Sequence, residues 1–386
     1  MVLIDKADSG VALTIVRSLG KKGVDVTAAA SKKRVLIFYS KYCKNKVVYP
    51  PPESGARRFV QKMLEIVKNG NHEVLFTLGS PEMDIISRNR DRFTPYVNIP
   101  LVDHETLMIA KDKGQILKIA VENDVPCPKT YFPEKISDVE DIKDRLEYPV
   151  VIKPRRGEGA KGVTYINSPK ELVPKFKEVA TKYGRSIIQE YIPHGGAYGF
   201  EALFNKDSRL RAFFVHRRIR EYPVTGGPST LRESVYDPEA VKYGTKLLKA
   251  LNWYGVAMVE FRKDLRDGKL KLMEINPRFW GSLALSVAAG VDFPYLLYKM
   301  VIDGDVKPVF NYKIGVKCRW LLFGDIKHLI SVMKGVKSDF GFKSPNRLKT
   351  LAEFLKFYEK DLHYDILSWD DPKPAIFKII NGILRV

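Results

Sequence analysis

Val259-Glu260-Phe261, Arg266-Asp267-Gly268 and Met273-Glu274-Ile275-Asn276-Pro277-Arg278 are the residues on which the reading of this chain turns. Apolar and polar residues alternate on both sides of the Asp-Gly pair, which predicts a β-hairpin over 255–276. Its loop length sets the register. A two-residue turn at Asp267-Gly268 opposes Glu260 to Ile275 and sends the two glutamates to opposite faces. A three-residue loop, with Gly268 left-handed, pairs Glu260 with Glu274 and leaves Asn276 on their face, two residues along. Two carboxylates and an amide oxygen facing one another between apolar strands repel unless a cation lies among them. Hard oxygen ligands with room for water and phosphate suit Mg²⁺. Pairing with nearby lysines is the plainer alternative, and the apolar flanks argue against it.

Two elements upstream belong with the hairpin. Tyr148–Pro154 is an apolar strand that delivers Lys153 to the loop Arg155-Arg156-Gly157-Glu158-Gly159-Ala160-Lys161-Gly162-Val163. Glycines let backbone N–H groups approach phosphate oxygens, and the lysine adds a fixed charge. The loop lacks the G-x-x-x-x-G-K-[ST] pattern. Ile187-Ile188-Gln189-Glu190-Tyr191-Ile192-Pro193 then reads as an apolar strand ending in polar groups. Such an end can offer main-chain atoms to the edge of adenine while Ile192 covers its face, although a plain core strand explains it equally well.

Residues 1–100 alternate strands and helices: Val2–Ile4, a helix capped by Ser9, Val24–Ala29, Val74–Leu78, and a helix opening at Gly79-Ser80-Pro81 with Ser80 as its cap. The alternation predicts a parallel sheet covered by helices. Asp8-Ser9-Gly10 lacks G-x-G-x-x-G, so a dinucleotide is not expected there. Strand-end geometry nevertheless puts Asp8–Gly10 and Gly79–Ser80 at a pocket mouth. Further helices are expected at 104–124, 168–182 and 238–251, with a strand pair around 198–219.

The 386 residues carry a net charge of +20. Residues 1–58 hold 12 basic against 4 acidic side chains, and 310–386 hold 14 against 8, so the middle is nearly balanced. Such basic ends suit solvated faces and acidic small substrates better than nucleic acid. Cys43, Cys127 and Cys318 have no zinc or disulfide spacing, which favours a reducing cytoplasm. The N-terminus meets charge too early for a signal peptide, and the longest apolar run, Ser282–Ile302, is broken by Asp292 and Lys299. No membrane contact is expected.

In this order, lysine and glycine loop, strand-end hinge, then E…E-x-N-x-R hairpin, the chain resembles the ATP-grasp superfamily, over about 104–310. The likeness is to the ATP-binding halves of carbamoyl-phosphate synthase and biotin carboxylase, and to D-alanine–D-alanine ligase. Asn276–Ser282 is similar to carboxylate–amine ligases of the D-aspartate ligase group. The resemblance implies a mixed α/β and α+β chain: a Rossmann-like domain (1–103), an ATP-grasp domain (104–310) with a mobile lid at about 149–190, and a basic, mainly helical extension (311–386).

It also implies roles. Lys113 and Lys153 would hold the α- and β-phosphates of ATP, and the backbone around Gly157, Gly159 and Gly162 would close over the γ-phosphate. Gln189, Glu190, Tyr191 and Ile192 would bracket adenine, and Glu201 would take the ribose hydroxyls. Glu260, Glu274 and Asn276 would hold Mg²⁺, with Mn²⁺ as an alternative ion, and Arg278 would face the transferred phosphate and the acyl intermediate. The loop departs from the family in its Arg155, Arg156, Glu158 and Lys161. Arg218 and Arg220, alternating on one strand face, would clamp a carboxylate, and Gly226-Gly227 suggests a loop closing over substrate. The implied reaction joins a small anionic carboxylate to an amine, in an enzyme that could form a homo-oligomer.

Two rival readings use other features. Tyr39, Tyr42 and Tyr49 interleave with Lys41, Lys44 and Lys46, as in a nucleic-acid surface, and an idle ATP-binding regulatory subunit would keep the same fold. At the far end, Ile376, Ile379, Ile380 and Ile383 fall at helical spacing opposite Lys378 and Arg385, a stripe expected to dock onto the protein's own body.

Overall fold

The computed structural model describes residues 1–157, 159–335 and 344–383. Glu158, the Ile383 side chain and Arg385 lie outside the described residues. Three sheets organise the chain. The first is parallel, with strands β1 (Val2–Ile4), β2 (Val26–Ala30), β3 (Asn45–Val48) and β4 (Val74–Phe76) in the order β3-β2-β1-β4. β1 and β4 are wholly apolar and buried, the signature of strands covered on both faces. Helix Gly10–Lys21 follows β1, with Ser9 accepting from the Ala12 N–H as its cap. The later helix, Ser80–Arg88, starts with Gly79 rather than Ser80 at the cap position, and the buried Asp5 carboxylate takes the Leu78 and Gly79 N–H groups.

The second sheet is small and antiparallel: β5 (Thr130–Tyr131), β6 (Val150–Pro154), β7 (Thr164–Ile166) and β8 (Ser186–Glu190), in the order β5-β8-β6-β7. With helices Ile136–Ile142 and Pro169–Tyr183 it buries its own core around Val139, Ile152, Leu172 and Ile188.

The third sheet has seven strands, β9 (His194–Phe204), β10 (Leu210–Glu221), β11 (Ser229–Ser234), β12 (Gly255–Asp264), β13 (Leu270–Asn276), β14 (Lys317–Arg319) and β15 (Leu362–Tyr364), in the order β13-β12-β9-β10-β11-β14-β15. One face packs on helix Pro238–Ala250. Residues 279–300, led by Trp280 and Phe293, join the sheet to the first unit in one continuous core. The stretch after residue 310 does more than add helices, because β14 and β15 extend this sheet. The helix expected over 104–124 is broken in two, His104–Ala110 and Lys113–Glu122, since Asp112 leaves the helix to cap the second with its carboxylate.

Candidate active site

β12 and β13 pair Glu260 with Glu274, through a loop other than the three-residue one. Lys263 pairs with Leu270, the Asp264 N–H reaches the Lys269 carbonyl at 2.9 Å, and Gly268 (φ +71°) closes the turn. Leu265–Gly268 therefore turn the chain, and a bulge at Met273 restores the glutamate pairing. Met258, Glu260 and Arg262 alternate onto one face of β12, and all three line the same cavity.

Each glutamate already holds a cation. Arg218, from β10, donates to Glu260 and also reaches Glu221 Oε1 at 3.3 Å and the Gly227 carbonyl at 3.2 Å. Lys113 Nζ lies 2.9 Å from Glu274 Oε2 and 3.1 Å from the Gly157 carbonyl, while Asn276 Nδ2 donates to Glu274 Oε1 at 3.3 Å. Burial opposes ionising Glu274, but Lys113 and Asn276 outweigh it and hold the carboxyl below its usual range. Burial also works against the Arg218 charge, and Glu260 and Glu221 more than reverse that. Lys153 differs. Its ammonium donates to Gln189 Oε1 at 2.7 Å, and burial, then Arg262 and Lys113, pull its pKa down to about 7.

These groups open into a cavity of about 630 Å³, a size usual for small-molecule sites. Gln189, Glu190, Tyr191 and Ile192 line it, with Val151 and Tyr165, as do Gly157, Gly159, Ala160 and Lys161 of the glycine loop. Gly226, Gly227 and Arg278 line it too, Arg278 donating to the Phe279 carbonyl at 3.1 Å. Asp8–Val11 of the first unit and Trp320, Ile366 and Lys378 of the C-terminal stretch complete its walls.

Three expected roles change. Glu201 is fully buried: its carboxylate lies 2.7 Å from His216 Nδ1 and 2.9 Å from Ser282 Oγ, so these two residues line the cavity in its place. Arg220 is turned off the Arg218 face by a bulge at Ile219 and forms two bonds of 2.8 and 2.7 Å with buried Asp325. Gly162 is a left-handed turn residue whose β-carbon would strike Pro154 and Tyr183, and it does not line the cavity. The Glu190 side chain is committed to the Lys129 N–H at 2.8 Å and to Arg266 at 2.9 Å, in keeping with the main-chain role expected of this residue.

Sequence reasoning also missed partners. Arg155 bonds Asp112 at 2.8 Å, and its carbonyl takes the Lys113 N–H at 2.9 Å, so this loop arginine positions Lys113. Arg262 was legible in the period-2 pattern of β12; Lys378, from a distant helix, was not. In the aromatic–lysine stretch, Tyr49 is buried, Tyr42 and Lys41 both bind Asp370, and Tyr39 stacks on Phe377 at 4.2 Å, so these rings are occupied within the fold.

Among the described residues no cluster of three or more Asp, Glu, His or Cys is placed to bind a metal. The donor set is two carboxylates with an amide, which fits Mg²⁺ because that ion keeps waters and phosphate oxygens in its shell.

A family model described as ATP-grasp in the biosynthetic pathway with Ter operon matches residues 205–321. D-aspartate ligase of Enterococcus faecium is 22% identical over 57% of this chain and 58% of its own length. The carbamoyl phosphate synthase large chain of a Thermoanaerobacter species is 23% identical over 57% of this chain but only 21% of its own. The crystal structure of a biotin carboxylase β,γ-ATP complex from Campylobacter jejuni superposes with a TM-score of 0.69 at 14% identity, covering 82% of this chain and 74% of that one. The chain has the ATP-grasp fold, and its sequence resembles those of the ATP-grasp carboxylate–amine ligases and of carbamoyl phosphate synthase.

Proposed function

We propose that the chain is an ATP-dependent ligase that converts a carboxylate to an acyl phosphate, releasing ADP, and passes the acyl group to an amine with loss of phosphate. The observation that carries this reading is the Glu260–Glu274 pair, set among Lys113, Lys153 and Arg218 in the cavity that also receives the end of β8. Glu260, Glu274 and Asn276 would hold Mg²⁺, or Mn²⁺. When bound, the ion supplies charge that offsets the phosphates. Lys113 and Lys153 bind the inner phosphates, Gly157 and Gly159–Lys161 cover the γ-phosphate, and adenine lies along Gln189–Ile192. Arg278 and Arg218 keep attack of one anion on another from being prohibitive, a task of positioning and electrostatics rather than covalent chemistry. The walls from Asp8–Val11 and Gly226-Gly227, which line the same cavity, would receive the carboxylate and the amine.

The test is ADP release from the purified protein with amino acids and small dicarboxylates, each with and without added amines, followed by mass detection of the product. Glu274→Gln is expected to abolish ADP release without changing the circular dichroism spectrum. Full turnover in that variant would sink the assignment.

A further inference from the structure

The isoleucine stripe of the last helix faces the wrong way for the packing that the sequence predicts. Helix Lys373–Ile383 seats Ala375 and Phe377 against the first unit and lends Lys378 to the cavity, whereas Ile376 and Ile380 remain 52% exposed and Ile379 39%. It is not alone. Of the 21 large apolar side chains exposed among the described residues, 12 follow residue 309, including Trp369 at 96% and Tyr358 at 91%. Several of them lie on elements that touch. Helix Ile326–Lys334, with Ile330 and Met333 exposed, packs on helix Arg347–Phe354, which exposes Leu348. The turn before it puts the Phe323 ring where a β-carbon of Gly382 would be. Lysines are interspersed: Lys334, Lys356 and Lys373 make no ion pair among the described residues.

We propose that this C-terminal surface docks onto an anionic lipid bilayer. A second copy of the chain is a poor occupant, because a two-fold contact sets the same basic patch against itself. Anionic headgroups complement the lysines, the isoleucine stripe suits the headgroup–acyl boundary, and exposed Trp and Tyr favour that depth. Among the described residues no helix is long and apolar enough to cross a membrane.

The experiment is sedimentation of the full-length protein with phosphatidylcholine vesicles, with and without phosphatidylserine. Binding is expected only to vesicles containing phosphatidylserine, to weaken as salt is raised, and to fall by about tenfold or more in Ile376→Ser/Ile380→Ser. The two isoleucines lie outside the cavity, so ATP binding by this variant in vesicle-free buffer is expected to be unchanged. Equal or absent binding to the two vesicle types overturns the proposal. So does a concentration-dependent dimer in ultracentrifugation that the double variant abolishes.

Discussion

Arg218 and Arg220 stand two residues apart on one strand, and the structure assigns them opposite work, so replacing each with glutamine separates the site from its frame. Arg220 is 7% exposed and gives two charge-assisted bonds to Asp325, which is fully buried. Breaking a buried ion pair costs about 3–5 kcal/mol. Asp325 keeps Arg319 at 2.6 Å and Thr230 at 3.0 Å, so its charge is not orphaned and the lower figure, about 3 kcal/mol, applies. At roughly 2–4 °C per kcal/mol for a large domain, Arg220→Gln is expected to lower Tm by about 6–12 °C with KM for ATP unchanged. Arg218 sits over the cavity with its partners Glu260 and Glu221. Arg218→Gln is expected to lower Tm by less than half as much, and ADP release by about tenfold or more. Thermal denaturation followed by circular dichroism, with steady-state ADP assays on both variants, decides the matter. A KM effect in Arg220→Gln at unchanged Tm would refute the separation.

Two further outcomes are expected. Lys153, held at about pH 7, gains a favourable partner in bound phosphate, so its folded-state pKa rises on binding and ATP binding takes up a proton above pH 7. Calorimetry in buffers of different ionisation heat should show that uptake in the native protein and none in the permanently charged Lys153→Arg; equal heats in all buffers for the native protein would count against it. Gly244→Ala gains up to about 1 kcal/mol of helix propensity, yet its β-carbon would lie 2.1 Å from the fully buried Phe200 ring. Overpacking should prevail, with a net loss of about 1–2 kcal/mol in urea unfolding.

What the sequence could show follows from period. Alternation over β12 and β13 is strong enough to place both glutamates and Asn276 together, and apolar runs place β1, β4, β6 and β8. Bulges are invisible to that logic. The one at Met273 compensates for a loop one residue longer than expected, so the glutamate pairing emerges from a register that the reading did not contain. The one at Ile219 flips the alternation along β10, so Arg220 leaves the Arg218 face, and the pairing register is recovered by a second shift between Arg220 and Glu221. Glu201 fails for a different reason: it shares a face with its cross-strand neighbour Met258, but His216 and Ser282 cover it, and depth beneath a surface has no one-dimensional signal. Helical spacing likewise defines the stripe of the last helix without saying which side meets the body.

The ion pairs of the cavity bear on how such a site stays folded before its ligands arrive. Glu260 with Arg218, and Glu274 with Lys113, are pairs in which both members have a second use under the proposed function, the acids toward a metal ion and the cations toward phosphate. At an effective dielectric near 20, each pair offsets on the order of 4 kcal/mol of charge that would otherwise face poor solvation. Ligand entry exchanges partners rather than creating charge, which keeps the reorganisation small. Lys153 is the exception. It bonds an amide oxygen rather than a carboxylate, and two cations crowd it, so its own charge is disfavoured until an anion enters. At the depressed lysine a polyphosphate therefore supplies a missing counter-charge instead of displacing one, and ATP recognition should depend on it more than on Lys113.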